Sequence, residues 1–196
     1  MLLIDGFFII LAYLFGSVAS AIVVCRCLGL PDPRTEGSNN PGATNVLRIG
    51  GKKAAALTLT GDLLKGLLPV ALAQIFASEA GVAGTALAAF LGHLYPLYFQ
   101  FQGGKGVATA FGSILGLQPL VAIIALGVWL GVARLSRTSS VAALTAALFT
   151  PLVSWWIELP RIQWIAIVTM VALLIWRHRS NINRLLAGSE NAIGGR

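Results

Sequence analysis

Charged residues are scarce in this 196-residue chain: they make up 11% of it, whereas hydrophobic residues make up 57%. A water-soluble domain of this length needs more polar surface to cover its core. The only two cysteines, Cys25 and Cys27, are too close in sequence for a disulfide framework, and no nearby residues complete a metal site. We therefore expect neither a metal nor another cofactor, and the composition is typical of a membrane protein.

Two further features are missing from the sequence. The first residues lack the positive charges of a secretory signal peptide, so a cleaved signal peptide is not expected. The net charge of +7 is not gathered into a basic stripe, because the basic residues flank the apolar runs. Nucleic acid is therefore not an expected partner, and a lipid bilayer is.

Apolar runs follow one another along the chain, and each is expected to be helical because a bilayer offers the backbone no other hydrogen-bond partner. Pro119 divides the longest run, since proline disfavours helix in the residue before it. The prediction is an all-α polytopic membrane protein of one domain, 1–196, with about seven transmembrane helices, or five if the proline turn and the short helix are misassigned. The predicted spans are residues 2–24, 54–76, 82–99, 107–117, 119–135, 141–157 and 162–176.

The basic residues are unevenly divided between the two sides of this seven-helix arrangement. Arg161 lies on one side and Lys65 within a span, and the other twelve lie on the opposite side. Those twelve are Arg26, Arg34, Arg48, Lys52, Lys53, Lys105, Arg134, Arg137, Arg177, Arg179, Arg184 and Arg196. The positive-inside rule makes that side cytoplasmic, so the N-terminus is predicted outside and the C-terminus inside. Segments 35–48, 102–109, 134–140 and 177–190 then share one membrane face.

The first of these segments is rich in glycine and small polar residues. Glycine permits close approach of the backbone to a ligand, neutral side chains supply hydrogen bonds, and arginine offers a fork suited to phosphate. The candidate residues are Gly37, Ser38, Asn40, Thr44, Asn45 and Arg48. A turn-rich loop without a ligand uses the same residue types, and both interpretations remain open.

The second segment contains Gly103, Gly104, Lys105 and Gly106 directly before a predicted helix. The N-terminus of a helix favours an anion, and Lys105 adds a full positive charge, so this segment is predicted to bind phosphate. It is not a Walker A loop, because Gly106 occupies the position of the magnesium-binding Ser or Thr. The alternative is a flexible turn carrying a positive-inside lysine.

The third segment follows the last span and carries His178, Asn181 and several arginines. One helical turn separates His178 from Asn181, so both are predicted to face the site, and Glu190 is predicted to pair with a cation. Arginines at this position also serve simply as anchors for anionic lipid headgroups, and this alternative stays open.

Two ionisable residues, Asp62 and Lys65, fall inside the second predicted span. Such groups are costly in a membrane, but three residues apart they neutralise each other, and a structural pair that braces the site is predicted. His93 is equally suited to a buried hydrogen bond and to the site. The G-x-x-x-G pairs at 112 and 116 and at 127 and 131 predict close helix packing.

Taken together, the motifs closely resemble the bacterial acyl-phosphate:glycerol-3-phosphate acyltransferase family. The resemblance rests on GSNNPGATNVLR, DLLKG, GHLYPLYFQFQGGKGVATAFG and RHRSNINRLLAGSE, in that order. Two positions depart from the family pattern: Asn39 stands where glycine is common and Gln102 where lysine is frequent. Neither residue is expected to carry chemistry.

The resemblance implies transfer of a fatty acyl group from acyl-phosphate to the sn-1 hydroxyl of glycerol 3-phosphate at the cytoplasmic face of the bacterial inner membrane. It also implies a soluble partner enzyme that makes the donor, and no use of acyl-CoA or acyl-carrier protein. Ser38, Arg48, Lys105, His178 and Asn181 become catalytic candidates, and Glu190 a structural one. The H-x-x-x-x-D base of soluble-donor acyltransferases is absent from the sequence. A membrane binding or transport protein for phosphate esters is the alternative class.

Overall fold

Helices follow the apolar runs and stop where proline, glycine or clustered polar residues interrupt them. The computed structural model describes residues 1–193, and every regular element in that range is helical. The elements are α1 (Leu2–Gly16), α2 (Ser20–Cys27), α3 (Ala43–Phe76), α4 (Glu79–Leu94), a 3-10 turn (Leu97–Phe99), α5 (Val107–Leu117), α6 (Pro119–Ser136), α7 (Ser139–Trp156), α8 (Arg161–Arg177) and α9 (Arg179–Leu186). Arg196, one of the cations in the orientation argument, lies outside the described residues.

Within residues 1–193, four helical segments are long and apolar enough to cross a membrane: α3, α6, α7 and Glu79–Phe99, which joins α4 to the 3-10 turn. A fifth results if α1 and α2, bent by 42° to each other, count as one span. At 17 residues α8 is near the lower limit for crossing a bilayer, and α5 has only 11. The all-α polytopic prediction is confirmed, whereas the count of seven spans and the orientation of the termini stay predictions.

The outward-facing surface is apolar, as expected of helices in lipid. Ile123 and Leu130 of α6 are 61% and 54% exposed, and only Val121 and Ala122 of that helix are buried. Exposure of so much apolar surface to water is unfavourable, whereas the acyl chains of a bilayer are a suitable surrounding for it.

Most helix boundaries agree closely with the predicted spans. The division at Pro119 is confirmed, and the predicted helix 107–117 has those bounds in the structure. The predicted single span 2–24 is wrong in one respect, because residues 17–19 interrupt it and bend the chain. The span predicted for 82–99 instead has its helix over Glu79–Leu94.

The second span is much longer than predicted and starts at Ala43 instead of residue 54. Part of the segment expected to be a polar loop is therefore helical. The helix passes through Gly51, whose φ of 75° and ψ of −173° are not helical, so a kink separates its polar first part from its apolar remainder. This arrangement places Arg48 in the part of α3 that precedes the kink.

The centre of the bundle is α4, which packs against α1, α3, α5 and α8. Close approach depends on glycine: a Cβ on Gly16 would collide with the carbonyl oxygen of Ala89, and one on Gly112 would collide with that of Leu63. The second G-x-x-x-G prediction is wrong within the chain, because Gly127 and Gly131 have open space where a Cβ would stand.

Candidate active site

All four segments predicted to share a face meet at one end of the bundle, around a cavity of about 430 Å³. One end of this cavity, called the mouth, is polar and positively charged, and Arg48, Lys105 and Arg184 line it. The interior lies between helices and is apolar. The predicted site residues on its lining are Ser38, Asn40, Thr44, Asn45, Arg48, Asp62, Lys105, Gly106, His178, Asn181 and Glu190. The apolar lining includes Ala110, Phe111, Ile114, Leu126, Trp129, Ala143, Ala147, Met170 and Leu174.

Gly37, Gly103, Gly104 and Lys65 do not border the cavity, and the substrate contacts predicted for the three glycines stay predictions. They shape the loops. A Cβ on Gly103 would collide with the carbonyl oxygen of His93, and one on Gly104 with its ring Nε2. Gly37 has a φ of 63°, and a Cβ there would collide with the side chain of Asn45.

The loop Gly103–Gly106 is held by an arginine from the end of α8. The guanidinium of Arg177 donates one hydrogen bond to the Gly103 carbonyl, at 2.6 Å, and one to that of Gly104, at 3.1 Å. Gly106, with a φ of 84°, precedes α5, and the start of that helix, at Val107 and Ala108, borders the cavity. Sequence reasoning missed Arg177 as a site residue, because an arginine at a membrane interface also fits a lipid anchor. Its position directly before His178 was the available indication.

Lys105 lies at the mouth among like charges. Burial, together with the charges of nearby Arg184, Arg177 and Arg48, lowers its pKa to about 8, although Glu190 acts in the opposite direction. No hydrogen bond from its ammonium group to another residue of the range 1–193 is present. A cation in such surroundings gains most from a bound anion.

Arg48 enters the cavity from α3. One of its terminal nitrogens donates a long hydrogen bond, 3.4 Å, to the carbonyl of Ala192, while its buried Nε has no partner among residues 1–193. A buried guanidinium N–H without an acceptor is costly, so a ligand oxygen is the natural partner.

Asn45 connects the loop before α3 to the helix itself. Its Oδ1 accepts from the backbone N–H of Ser38 at 2.9 Å, and its Nδ2 donates to the carbonyls of Pro33 and Glu36. With both amide hydrogens occupied, Asn45 mainly supports the loop, and its predicted part in substrate binding stays a prediction. Asn39 has a φ of 53°, a conformation that asparagine tolerates better than most residues, so its presence at a glycine position of the family fits the loop.

His178 lies between α8 and α9 and is 3% exposed. Its Nδ1 is 2.8 Å from the carbonyl oxygen of Leu174, so Nδ1 carries the hydrogen and donates it, leaving Nε2 as an acceptor. Burial lowers the pKa of His178 to about 4, and the charge of Lys105 acts in the same direction. The imidazole is therefore neutral near pH 7.

Glu190 joins three parts of the site. Its carboxylate accepts hydrogen bonds from Ser140 at 2.8 Å, Asn181 at 2.5 Å and Arg184 at 2.7 Å. Although burial raises its pKa, these three donors hold it below the ordinary value, so the group is ionised. These are the contacts of a structural residue, and Arg184 is the cation with which it pairs. The buried Oδ1 of Asn181 has no partner among the described residues.

Asp62 and Lys65 form a buried ion pair of 2.8 Å beside the cavity. The Lys65 ammonium directs its hydrogen bond to the carbonyl of Val18, at 2.8 Å, so its contact with Asp62 is mainly electrostatic. The fold also places His93 Nδ1 3.5 Å from the Asp62 carboxylate and 3.1 Å from the Thr109 hydroxyl. The H-x-x-x-x-D pattern is absent from the sequence, yet a histidine and an aspartate from different helices lie side by side.

The fold and the cavity define a class: a multi-pass helical membrane protein with an apolar pocket that has a cationic mouth. The family model described as glycerol-3-phosphate acyltransferase matches residues 6–188. A glycerol-3-phosphate acyltransferase of Thioalkalivibrio sulfidiphilus is 58% identical over 94% of this chain and 92% of its own length. One from Methylobacillus flagellatus is 57% identical over 97% of both chains.

Solved structures agree with these relatives. A crystal structure of PlsY, an integral membrane glycerol 3-phosphate acyltransferase in its glycerol 3-phosphate form, has a TM-score of 0.93 to this chain. It is 41% identical, with 96% of this chain and 94% of that one covered. A second structure, the lysophosphatidic acid form, has a TM-score of 0.90 at 40% identity. This chain therefore belongs to the glycerol-3-phosphate acyltransferase family, an acyltransferase family of the membrane.

Proposed function

We propose that this protein transfers a fatty acyl group from acyl-phosphate to the sn-1 hydroxyl of glycerol 3-phosphate, giving lysophosphatidate for phospholipid synthesis. The observation that carries the proposal is a single cavity with a cationic mouth and an apolar interior. Such a cavity suits a donor with a phosphate at one end and an acyl chain at the other, next to a small phosphorylated acceptor. Family membership favours the same acceptor.

Two phosphate groups meet at the mouth in this account. Arg48 lies there with a buried Nε that has no partner among residues 1–193, Lys105 adds a second positive charge, and the N-terminus of α5 adds partial positive charge. Asn40 and Thr44 border the same space and supply neutral hydrogen bonds. Positive charge of this density favours binding of both anions despite their mutual repulsion.

The chemistry is an acyl transfer onto an already activated carbonyl. The glycerol hydroxyl oxygen attacks the carbonyl carbon, the bond from that carbon to the bridging phosphate oxygen breaks, and phosphate leaves. The hydroxyl proton passes to the departing phosphate, so the donor serves as its own base. Arg48 and Lys105 stabilise charge on that phosphate, while the protein mainly supplies proximity and electrostatic stabilisation.

Ser38, His178 and Asn181 complete the site in this proposal. Neutral His178 offers Nε2 as an acceptor for a glycerol hydroxyl, and the free Oδ1 of Asn181 offers a second acceptor. Ser38, whose backbone is fixed by Asn45, directs its hydroxyl group to the acceptor phosphate. Orientation of the hydroxyl before attack is the expected contribution of these three residues.

The positive-inside distribution favours a mouth that opens to the cytoplasm at the inner membrane of a bacterium. Glycerol 3-phosphate is water-soluble and reaches the site from that side, and a soluble partner enzyme supplies acyl-phosphate there. The acyl chain enters the hydrophobic part of the cavity, so that the product, lysophosphatidate, is released into the lipid.

A vesicle assay distinguishes the proposed enzyme from the alternative class, a transporter of phosphate esters. Purified protein in sealed vesicles is given labelled glycerol 3-phosphate with or without hexadecanoyl phosphate. Donor-dependent label in lysophosphatidate supports the proposed enzyme, whereas accumulation of unmodified label inside the vesicles supports transport. Lys105→Ala is expected to lose product formation, and Lys53→Ala, which removes an exposed lysine outside the cavity, is the matched control.

A further inference from the structure

The apolar part of the cavity has a measurable depth. Its lining on α7 runs from Ser139 at the mouth to Thr150 inside. From position 139 to position 150 an α-helix rises by roughly 16 Å, at about 1.5 Å per residue. The hydrocarbon layer of a bilayer is about 30 Å thick, so the cavity reaches approximately the depth of one lipid leaflet.

The α7 wall of this cavity consists of small side chains. Ala143, Ala146 and Ala147 line it between the mouth and Thr150. Thr150 is 3% exposed, and its hydroxyl donates to the carbonyl of Ala146 at 2.8 Å, so its polar atom is satisfied within the helix. Larger side chains at these three alanine positions would fill part of the cavity. The cavity therefore depends on the small residues of α7.

On α5, α6 and α8, packed core residues follow one turn beyond the deepest residues that line the cavity. Leu117, Val121 and Ile167 are buried in the main hydrophobic cluster and do not border the cavity, whereas Met170, one turn nearer the mouth than Ile167, does. Displacing such residues to lengthen the cavity would strain a close-packed core. The depth of the cavity is therefore fixed, and it limits the length of an acyl chain that enters it.

We propose that Thr150, with the alanine wall of α7 leading to it, determines the length of acyl chain that the enzyme accepts. This inference rests on the proposed acyl-phosphate reaction and adds the part of the cavity that contains the end of the chain. A chain that reaches Thr150 fills the cavity, a shorter one leaves part of it empty, and a longer one meets the packed core. The preferred substrates are then chains that span about one leaflet.

The test compares the ratio of kcat/KM for hexadecanoyl phosphate to that for decanoyl phosphate. Thr150→Phe shortens the cavity, so this ratio is expected to fall about tenfold, the discrimination typical of a methylene or two in an apolar pocket. Thr150→Val keeps the side-chain shape and is expected to keep the ratio. Leu148→Phe adds bulk on the lipid-facing side of the same helix, 57% exposed, and is also expected to leave the ratio unchanged.

A second variant covers the case in which Thr150→Phe does not fold. Met170→Ala widens the cavity near its inner end, so the preference is expected to move towards octadecanoyl phosphate by about tenfold. Unchanged length preference in folded Thr150→Phe and Met170→Ala proteins would overturn the inference while leaving the acyl-phosphate reaction in place. If the wild-type protein uses no acyl-phosphate of any length, the proposed function fails instead.

Discussion

Arg177 donates a 2.6 Å hydrogen bond to the carbonyl oxygen of Gly103, and so ties the end of α8 to the loop before α5. A second hydrogen bond reaches Gly104. With the carbonyls turned towards the arginine, the loop can direct N–H groups at an anion. The conformation of the loop Gly103–Gly106 thus depends on a residue 74 positions away in the chain from Gly103.

Removing this arginine is expected to impair substrate binding. Arg177→Ala loses two charged hydrogen bonds, each worth about 1.5–3 kcal/mol, so KM for glycerol 3-phosphate is expected to rise at least tenfold. Steady-state kinetics measure the effect. Arg179→Ala, which removes an arginine packed on the Trp176 ring outside the cavity, is the control. Equal KM values for both variants would contradict the role of Arg177.

The glycine at position 104 is expected to be sterically required. In Gly104→Ala the new methyl group would collide with His93 Nε2 and lie 2.8 Å from the Pro41 carbonyl, so activity is expected to fall more than tenfold. Gly131→Ala is the matched control, since nothing lies within 4 Å of its Cβ and alanine favours helix by about 1 kcal/mol. Normal turnover by Gly104→Ala would show that the loop is not as tightly packed as described.

The lowered pKa of Lys105 predicts a basic limb in the pH profile. The ammonium group is charged below a pKa of about 8 and neutral above it, so kcat/KM for glycerol 3-phosphate is expected to fall as pH rises through about 8. Lys105→Arg keeps its charge over this range and is expected to move the fall to higher pH. An identical profile in wild type and Lys105→Arg would assign the limb to another group.

The buried pair of Asp62 and Lys65 makes a prediction about stability. Asp62→Asn leaves the Lys65 charge buried without its partner, at a cost of about 3–5 kcal/mol in folding free energy. The double variant Asp62→Asn/Lys65→Met removes both charges and is expected to recover most of the loss. Thermal unfolding in detergent measures both proteins, and equal destabilisation of the two would contradict a coupled pair.

The sequence predicts helix bounds well where the length of an apolar run sets them. Pro119, for example, marks the division between α5 and α6. It predicts α3 poorly, because the glycines and lysines at 50–53 indicate a loop, whereas the helix continues through them with a kink at Gly51. The site is predictable only in part. Small polar motifs identify which segments meet at the site. The hydrogen bonds of Arg177 and the approach of His93 to Asp62 could not be predicted, because they depend on how distant helices pack against one another.

The most direct test of the central claim is product stoichiometry with acyl-phosphate as the sole acyl source. Purified protein in lipid vesicles is incubated with hexadecanoyl phosphate and labelled glycerol 3-phosphate, and lysophosphatidate and inorganic phosphate are both measured. The account predicts equal amounts of sn-1 lysophosphatidate and phosphate, no product from hexadecanoyl-CoA or acyl-carrier protein, and loss of both products in Arg48→Ala and Lys105→Ala. Acylation from acyl-CoA, or full activity in both variants, would contradict it.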